Sequence, residues 1–527
     1  MTEDHSHHQR LLKSTLSVSL PTIVSRLLGY VRDSIQAYFL GTGKAMDAFA
    51  LAFILPNLLR RLTAEGAMAT SFVPVFAREK KDKSRAEVVR FADLFFFDLA
   101  LVMIILVILG VIFAPNLVKA VAGGFRDVPG KLELTTSLAR LMFPYIFFVS
   151  LAALAGAILN SFHRFFLPAC APVVMNLSVV VAALIFARKS AEPAYVFAFG
   201  VVAGGVLQLV IQLPLLRKMG LRFRFGLSFT HPAVRQVGRL MVPAVIGLGV
   251  FQITFALSRF LAATLERGSI ASLHYASRVE ELTLGIFSVA LSVVLLPSYS
   301  DQAAAGDIPR MKRTMAFSLK LVSLITVPAT VGLLVLSRPI VRVLFERGKF
   351  DDASTATSAL CLFYFAIGLP FISAVKAITP AFFSLKDMKT PVIIAVLAVS
   401  VYLGCSLVLM GRMRVAGLAL ALSLSQILNF LSSFVLLQRK IGVLENRQYL
   451  RTSGLCLGFA SLMGVGLWLF MKAVHFADRG RVVQALLLFA AIGLGMLFYF
   501  LCQFLFNRRD IRPLLDAFTR RKVTTEG

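Results

Sequence analysis

Apolar residues in this chain run in long blocks separated by short polar or basic connections, and no block shows a strict alternation of period two. A helix needs about 20 apolar residues to cross a bilayer. Breaking the chain at charged or Gly/Pro-rich turns yields fourteen such blocks, near residues 12–40, 47–77, 89–114, 135–159, 168–187, 194–216, 238–265, 271–299, 314–337, 354–384, 391–410, 415–437, 452–474 and 482–506. The pattern predicts an all-α polytopic membrane protein of about fourteen transmembrane helices. Outer-membrane strands would alternate, so an inner or plasma membrane is expected. The first block carries Arg26 and Arg32 and lacks a small-residue cleavage site, so it reads as a mature helix rather than a signal peptide.

The blocks repeat. Phe72-Val73-Pro74-Val75-Phe76 recurs as Leu295-Leu296-Pro297-Ser298-Tyr299, Pro144 as Pro370, Gln208 as Gln426, and LLRKMG ending at Gly220 as LLQRKIG ending at Gly442, all at a spacing of roughly 220 residues. Six spans per repeat is an even number, so both halves enter the membrane in the same sense. A site between them near mid-depth is the expectation for such parallel repeats. The domains predicted are a six-helix bundle over 1–225, a second over 226–445, and two additional helices with a basic tail over 446–527.

Composition agrees: 58% of the residues are hydrophobic and 16% charged, too apolar for a soluble globular protein. The net charge of +28 would suggest nucleic acid in a soluble chain, but here the cations gather in alternate loops. Lys80, Lys81 and Lys83 follow the second block; Arg217, Lys218 and Arg222 the sixth; Arg310, Lys312 and Arg313 the eighth; Arg439 and Lys440 the twelfth; Arg508 and Arg509 the last. By the positive-inside rule these connections and both termini are cytoplasmic, and no nucleic-acid partner is implied. The loop around Arg338, Arg342, Arg347 and Lys349 departs from the rule, being basic yet on the opposite side.

There is no phosphate-cradling GxxxxGK[ST] loop, no metal-spaced His/Cys cluster and no nucleophile–base pair, which favours a transporter over an enzyme, with no metal and no bound cofactor. Cys170, Cys361, Cys405, Cys456 and Cys502 are scattered singly and read as small buried hydrophobes. The His-rich head MTEDHSHHQR reads as incidental.

What needs explaining is charge inside the spans, where each ionised group costs about 2.5–3.5 kcal/mol even on lenient scales. The first two blocks hold Arg26, Arg32, Asp33, Asp47, Arg60, Arg61 and Glu65. Arg26 and Asp33, seven apart, share a helix face, while Pro21 and Gly29 offer bends that could bring Arg32 around. Asp47, Arg61 and Glu65 form a rough stripe, and Pro56 blurs the phase of Arg60. His274, Arg278 and Glu281 follow i, i+4, i+7 spacing, and Lys376 lies deep in the tenth block beside Ser373 and Thr379. Two readings stand: interhelical ion pairs, or a polar path for an anionic substrate. Arginine forks suit phosphate oxygens.

The order SRLLGYVRD, DAF, LPNLLRRLTAEGA, FVP, then LMFPYI, GAILNSFHRF, GGVLQLVIQLP, LFERGKF and KTPV resembles the lipid II flippases (the MurJ, formerly MviN, family) of the multidrug/oligosaccharidyl-lipid/polysaccharide exporter superfamily. The resemblance implies two six-helix bundles around a central cavity, with the last two helices bordering a groove for the lipid tail. It implies transport of undecaprenyl-pyrophosphate-linked peptidoglycan precursor from the cytoplasmic to the periplasmic leaflet of a bacterial inner membrane, by alternating access. Lipid II, membrane lipids and cell-wall synthesis proteins are the implied partners.

Matching to the family selects Arg60 over Arg61, and Arg278 and Glu281, while Ser277 stands where the family often has Asp. The substrate-binding set expected is Arg26, Arg32, Arg60, Arg278, Glu281 and Lys376, with Asp33, Asp47, Arg61 and Glu65 as gating or ion-pair residues. The alternative is an exporter of another lipid-linked oligosaccharide or of drugs, although drug cations would favour an acidic or aromatic cavity. The blocks numbered 7, 11 and 12 hold no interior acid for the sodium site of some relatives, leaving another coupling ion or the membrane potential as energy source.

Overall fold

The computed structural model describes residues 2–60, 68–122, 124–125, 128–223, 225–444 and 446–507. Among them every regular element is helical: α1 Thr2–Leu40, α2 Lys44–Arg60, α3 Met68–Asp82, α4 Arg85–Val121, α5 Lys131–Met142, α6 Pro144–Ser161, α7 Phe166–Phe186 and α8 Pro193–Val210. They continue as α9 Leu213–Lys218, α10 Pro232–Ala263, α11 Ser269–Ala304, α12 Ile308–Phe345, α13 Asp352–Ser384, α14 Lys389–Ile441, α15 Asn446–Ala473 and α16 Arg481–Phe506. Over the described residues, the fourteen apolar blocks fall on these helices. Among the described residues nine helical segments are long and apolar enough to span by themselves, and α14 carries two blocks. The chain is a multi-pass membrane protein.

Prolines and glycines set the interruptions. The second block is carried by two helices, α2 and α3, with 61–67 between them outside the described residues. Pro144 opens α6 directly after α5, where its missing N–H costs nothing. The eleventh and twelfth blocks meet at Arg414, whose φ of 53° and ψ of −132° break α14. There Gly417 lies so close to Leu409 that a methyl group would sit 2.7 Å from its backbone carbonyl. The repeat landmarks Gly220 and Gly442 both take positive φ, 107° and 86°, just beyond a helix end. Pro74 and Pro297 both lie inside helices.

The chain divides into two compact units, Met1–Ala271 with Arg347–Asp351, and Ser272–Glu346 with Asp352–Gly527. In the first, Phe72 of α3 stacks on Phe76 and on Phe91 and Phe95 of α4, at 5.1, 5.8 and 5.1 Å between ring centres. Two carboxylates in the apolar α4 accept hydrogen bonds from the segment before α10, although Asp98 Oδ2 is left buried without a partner among the described residues. Asp93 accepts from the backbone N–H groups of Arg222 and Phe223 at 3.3 and 3.2 Å, and Asp98 from Ser228 at 2.9 Å. In the second unit, α16 docks on α12 through Tyr499, whose hydroxyl donates to the Leu324 carbonyl at 3.1 Å. Gln503 in turn donates to that hydroxyl at 3.0 Å. Buried polar groups need such partners, so the pair of added helices is held in register as well as in contact.

The Arg338–Lys349 departure from the charge rule has a local explanation. Arg338 donates to Asp352 at 2.9 Å, and Arg342 to both Asp352 and Glu346, at 2.6 and 2.9 Å. Two of the four cations are thus neutralised where α12 gives way to α13.

Candidate functional site

In the first unit the charged residues of α1 meet α7. Arg32 donates Nε and Nη2 to Asp33 Oδ1 at 2.9 and 2.7 Å, and Nη1 to Asn176 Oδ1 at 2.9 Å. Asn176 completes the arrangement by donating Nδ2 to the Ser25 carbonyl at 2.9 Å. Gly29 faces it: a methyl there would stand in ordinary contact with that nitrogen, at 3.8 Å. Arg32 needs no bend to reach this position, because α1 runs unbroken through Gly29. Arg26 is exposed although Asp33, on the same face seven residues on, is buried. That face of α1 is covered over only part of its length, and Arg26 is not brought to Arg32.

Asp47 of α2 is buried in a set of three donors. Lys131 Nζ reaches its Oδ2 at 2.8 Å, the Gly268 N–H the same oxygen at 2.7 Å, and the Ala271 N–H its Oδ1 at 2.9 Å. Lys131 also lies over the Phe125 ring, 3.8 Å from its centre. The connections between helices crowd together here. Gly268, at φ 90°, has no room for a side chain, since a methyl would meet the Thr42 carbonyl at 2.3 Å, and Gly348 faces the Tyr38 carbonyl at 2.4 Å. The Lys349 N–H donates to that same Tyr38 carbonyl at 2.9 Å. Arg60, at the end of α2, is partly exposed and donates Nε to Asn57 at 3.0 Å. Arg61 and Glu65, expected on a stripe with Asp47, lie outside the described residues.

In the second unit, Arg278 and Glu281 of α11 are joined at 2.9 Å and both remain accessible, at 31% and 47% exposure. Lys376 of α13 is partly buried, beside Ser373, which is fully buried.

Two partners escaped sequence reasoning: Asn176 and Lys131. Asn176 and Lys131 belong to other helices, and no spacing within one helix reveals a contact across 144 or 84 residues. Of the two adjacent acids, the i, i+4, i+7 rule selects Glu281, and it is Glu280 that is buried. Among the described residues no group of three His, Cys, Asp or Glu side chains is placed to hold a metal.

Arranged this way, the first unit presents an arginine oriented by an amide and a carboxylate, with a second arginine at the end of α2. The second unit presents an accessible arginine–glutamate pair and a lysine. Arg32, Arg60 and Arg278 each hold a side-chain oxygen, and the planar donor fork that does so is also the geometry that suits phosphate oxygens.

The family model described as lipid II flippase MurJ matches residues 36–487. The lipid II flippase MurJ of Burkholderia cenocepacia is 33% identical over 512 residues, covering 95% of this chain and 99% of the relative. A solved structure described as lipid II flippase MurJ in an inward closed conformation aligns with a TM-score of 0.76 at 26% identity, over 94% of this chain and 99% of that one. An inward-facing multidrug resistance MATE transporter of the MOP superfamily shares the fold, with a TM-score of 0.67 at 13% identity over 81% of this chain and 98% of its own length. With the membrane fold, the intramembrane cations and a family match across most of its length, the chain belongs to the lipid II flippase MurJ family.

Proposed function

We propose that this protein carries lipid II across the membrane, from the cytoplasmic to the periplasmic leaflet. The observation that supports the reading best is the set of cations inside the spans, Arg32, Arg60, Arg278 and Lys376. A pyrophosphate repays their burial in a way that an organic cation could not. The polar headgroup would be held by these residues while the polyprenyl chain stays in lipid, and the two repeats would alternate access to it. The bacterial inner membrane, cytoplasmic termini and partnership with cell-wall synthesis proteins belong to the same proposal, as does the absence of enzymatic chemistry.

The test is reconstitution of the full chain into vesicles with fluorescent lipid II, with ion and potential gradients imposed separately. The unaltered protein should move the label between leaflets, and Arg32→Ala, Arg60→Ala and Arg278→Ala should not. Lysine at these positions should restore little, because it lacks the planar fork. Full transport by all three alanine variants would overturn the assignment. Orientation is tested in a cysteine-free background with single cysteines at Lys83 and Ala353, which should react from opposite sides. Ala353 is preferred to Asp352 because the latter holds Arg338 and Arg342.

A further inference from the structure

Asp47 has two kinds of partner. Lys131 Nζ reaches Oδ2 from the start of α5, and the lysine is fixed there without help from the turn between α10 and α11. Its ammonium lies over the Phe125 ring, its N–H donates to the Val128 carbonyl at 3.1 Å, and Lys44 of α2 donates to the neighbouring Pro129 carbonyl at 2.8 Å. The other two donors, the Gly268 and Ala271 amides, belong to that turn. The turn keeps its own shape through Arg259 of α10, which is buried and donates Nη1 to the Ile270 carbonyl at 2.9 Å. The stretch Met1–Ala271 of the first unit ends at the second of these amides. One carboxylate therefore bonds a fixed cation and the last residues before the chain enters the second unit.

A turn held in this way can leave Asp47 only by giving up both N–H bonds, and what stays behind sets the cost. With Lys131 in place the carboxylate keeps its cation. Without it, the departing amides leave a buried negative charge uncompensated, which is among the costliest arrangements a protein interior can hold. We propose that Lys131 is a positioning residue for transport: it compensates Asp47 whether the turn is bound or away, and so makes the contact between α2 and the α10–α11 turn releasable. This rests on the alternating-access part of the flippase reading, and adds to it a residue of α5 outside the set that would hold the substrate. Its sign is opposite to that of a packing role. Removing a packing residue loosens the turn, whereas removing this lysine fastens it.

The experiment uses the full chain in nanodiscs, cysteine-free except for Thr42→Cys and Ser269→Cys, and reads the rate of disulfide formation across the turn with no substrate present. Flipping of fluorescent lipid II is measured in vesicles on the same variants without the cysteine pair. Lys131→Met keeps an unbranched side chain and removes the charge, and Lys131→Arg restores a cation. The double variant Asp47→Asn with Lys131→Met removes both charges, so that a departing turn strands none.

Lys131→Met should cross-link at least as fast as its parent yet flip lipid II about tenfold more slowly, the scale of a hydrogen bond to a charged group. The double variant should cross-link more slowly than Lys131→Met and flip faster, and Lys131→Arg should recover part of the flipping. Slower cross-linking in Lys131→Met, flipping at the parent's rate, or a double variant that flips no faster than Lys131→Met would each overturn the proposal. Lipid II that the unaltered protein does not move would overturn the flippase reading instead, while the order of the substrate-free cross-linking rates still decides whether Lys131 makes the turn releasable.

Discussion

Lys131 Nζ sits 2.8 Å from Asp47 Oδ2 with both side chains almost wholly buried, at 3% and 1% exposure. The pair joins α2 to α5, and through the Gly268 and Ala271 amides the same carboxylate holds the turn between α10 and α11. Removing one member of such a buried pair leaves an uncompensated charge and costs about 3–5 kcal/mol. Asp47→Ala should be the more damaging change, because it strands the ammonium and two amides. Lys131→Met leaves a carboxylate still held by two N–H groups. Thermal unfolding in detergent should rank them so, with the double variant less destabilised than the sum. Equal losses that add would argue against the pairing.

Asn176 steadies Arg32 and caps the Ser25 carbonyl. Asn176→Ala should cost about 1–3 kcal/mol for the acceptor and donor it strands and should reduce lipid II flipping. Asn176→Asp retains an acceptor but gives Arg32 a second carboxylate and loses the donor to Ser25. It should therefore impair transport more than alanine does, even where its unfolding temperature is the higher of the two. Flipping rates and unfolding temperatures on the same preparations check the order.

The close approach of Gly268 to the Thr42 carbonyl makes a prediction for alternating access. Cysteines at Thr42 and Ser269, in a protein lacking Cys170, Cys361, Cys405, Cys456 and Cys502, should form a disulfide readily. The cross-linked protein should bind substrate yet fail to release it, and reduction should restore flipping. Unchanged transport in a quantitatively cross-linked sample would rule out movement at this turn. Gly268→Ala tests the same packing without a bridge, since its methyl would need backbone to retreat and positive φ disfavours it.

Asp387, in the connection between α13 and α14, accepts from the Thr390 N–H at 3.0 Å and from Lys440 at the far end of α14. Burial pushes its carboxyl up, but the hydrogen bonds from Lys440 and Thr390 prevail and hold it well below the usual carboxylate range. A depressed folded-state value gives stability that is fully present above the ordinary unfolded value of about 3.9 and is lost as pH falls below it. The unaltered protein should therefore lose unfolding temperature on acidification from neutral pH to below 4 more steeply than Asp387→Asn. Parallel profiles would remove Asp387 from the account.

The sequence by itself determined the helical spans. Apolar length is a local quantity, and a backbone in lipid has no other way to satisfy its hydrogen bonds. It also placed Arg32, Arg60, Arg278 and Lys376 within those spans, because charge in an apolar block is visible without knowing what faces it. The break between the eleventh and twelfth blocks was legible in the basic stretch that ends at Arg414, and glycine marked the helix ends at Gly220 and Gly442, but the interruption at Pro144 falls inside a block that reads as continuous. Tertiary structure decided the partners. Helical spacing sorts residues by face within one helix, and it put Arg26 with Asp33 and chose Glu281 over Glu280. Which face is covered depends on a helix far away in the chain: α7 brings Asn176 to Arg32, and α5 brings Lys131 to Asp47. The cost of burying a charge is paid or left unpaid only by such neighbours, and only the folded chain supplies them.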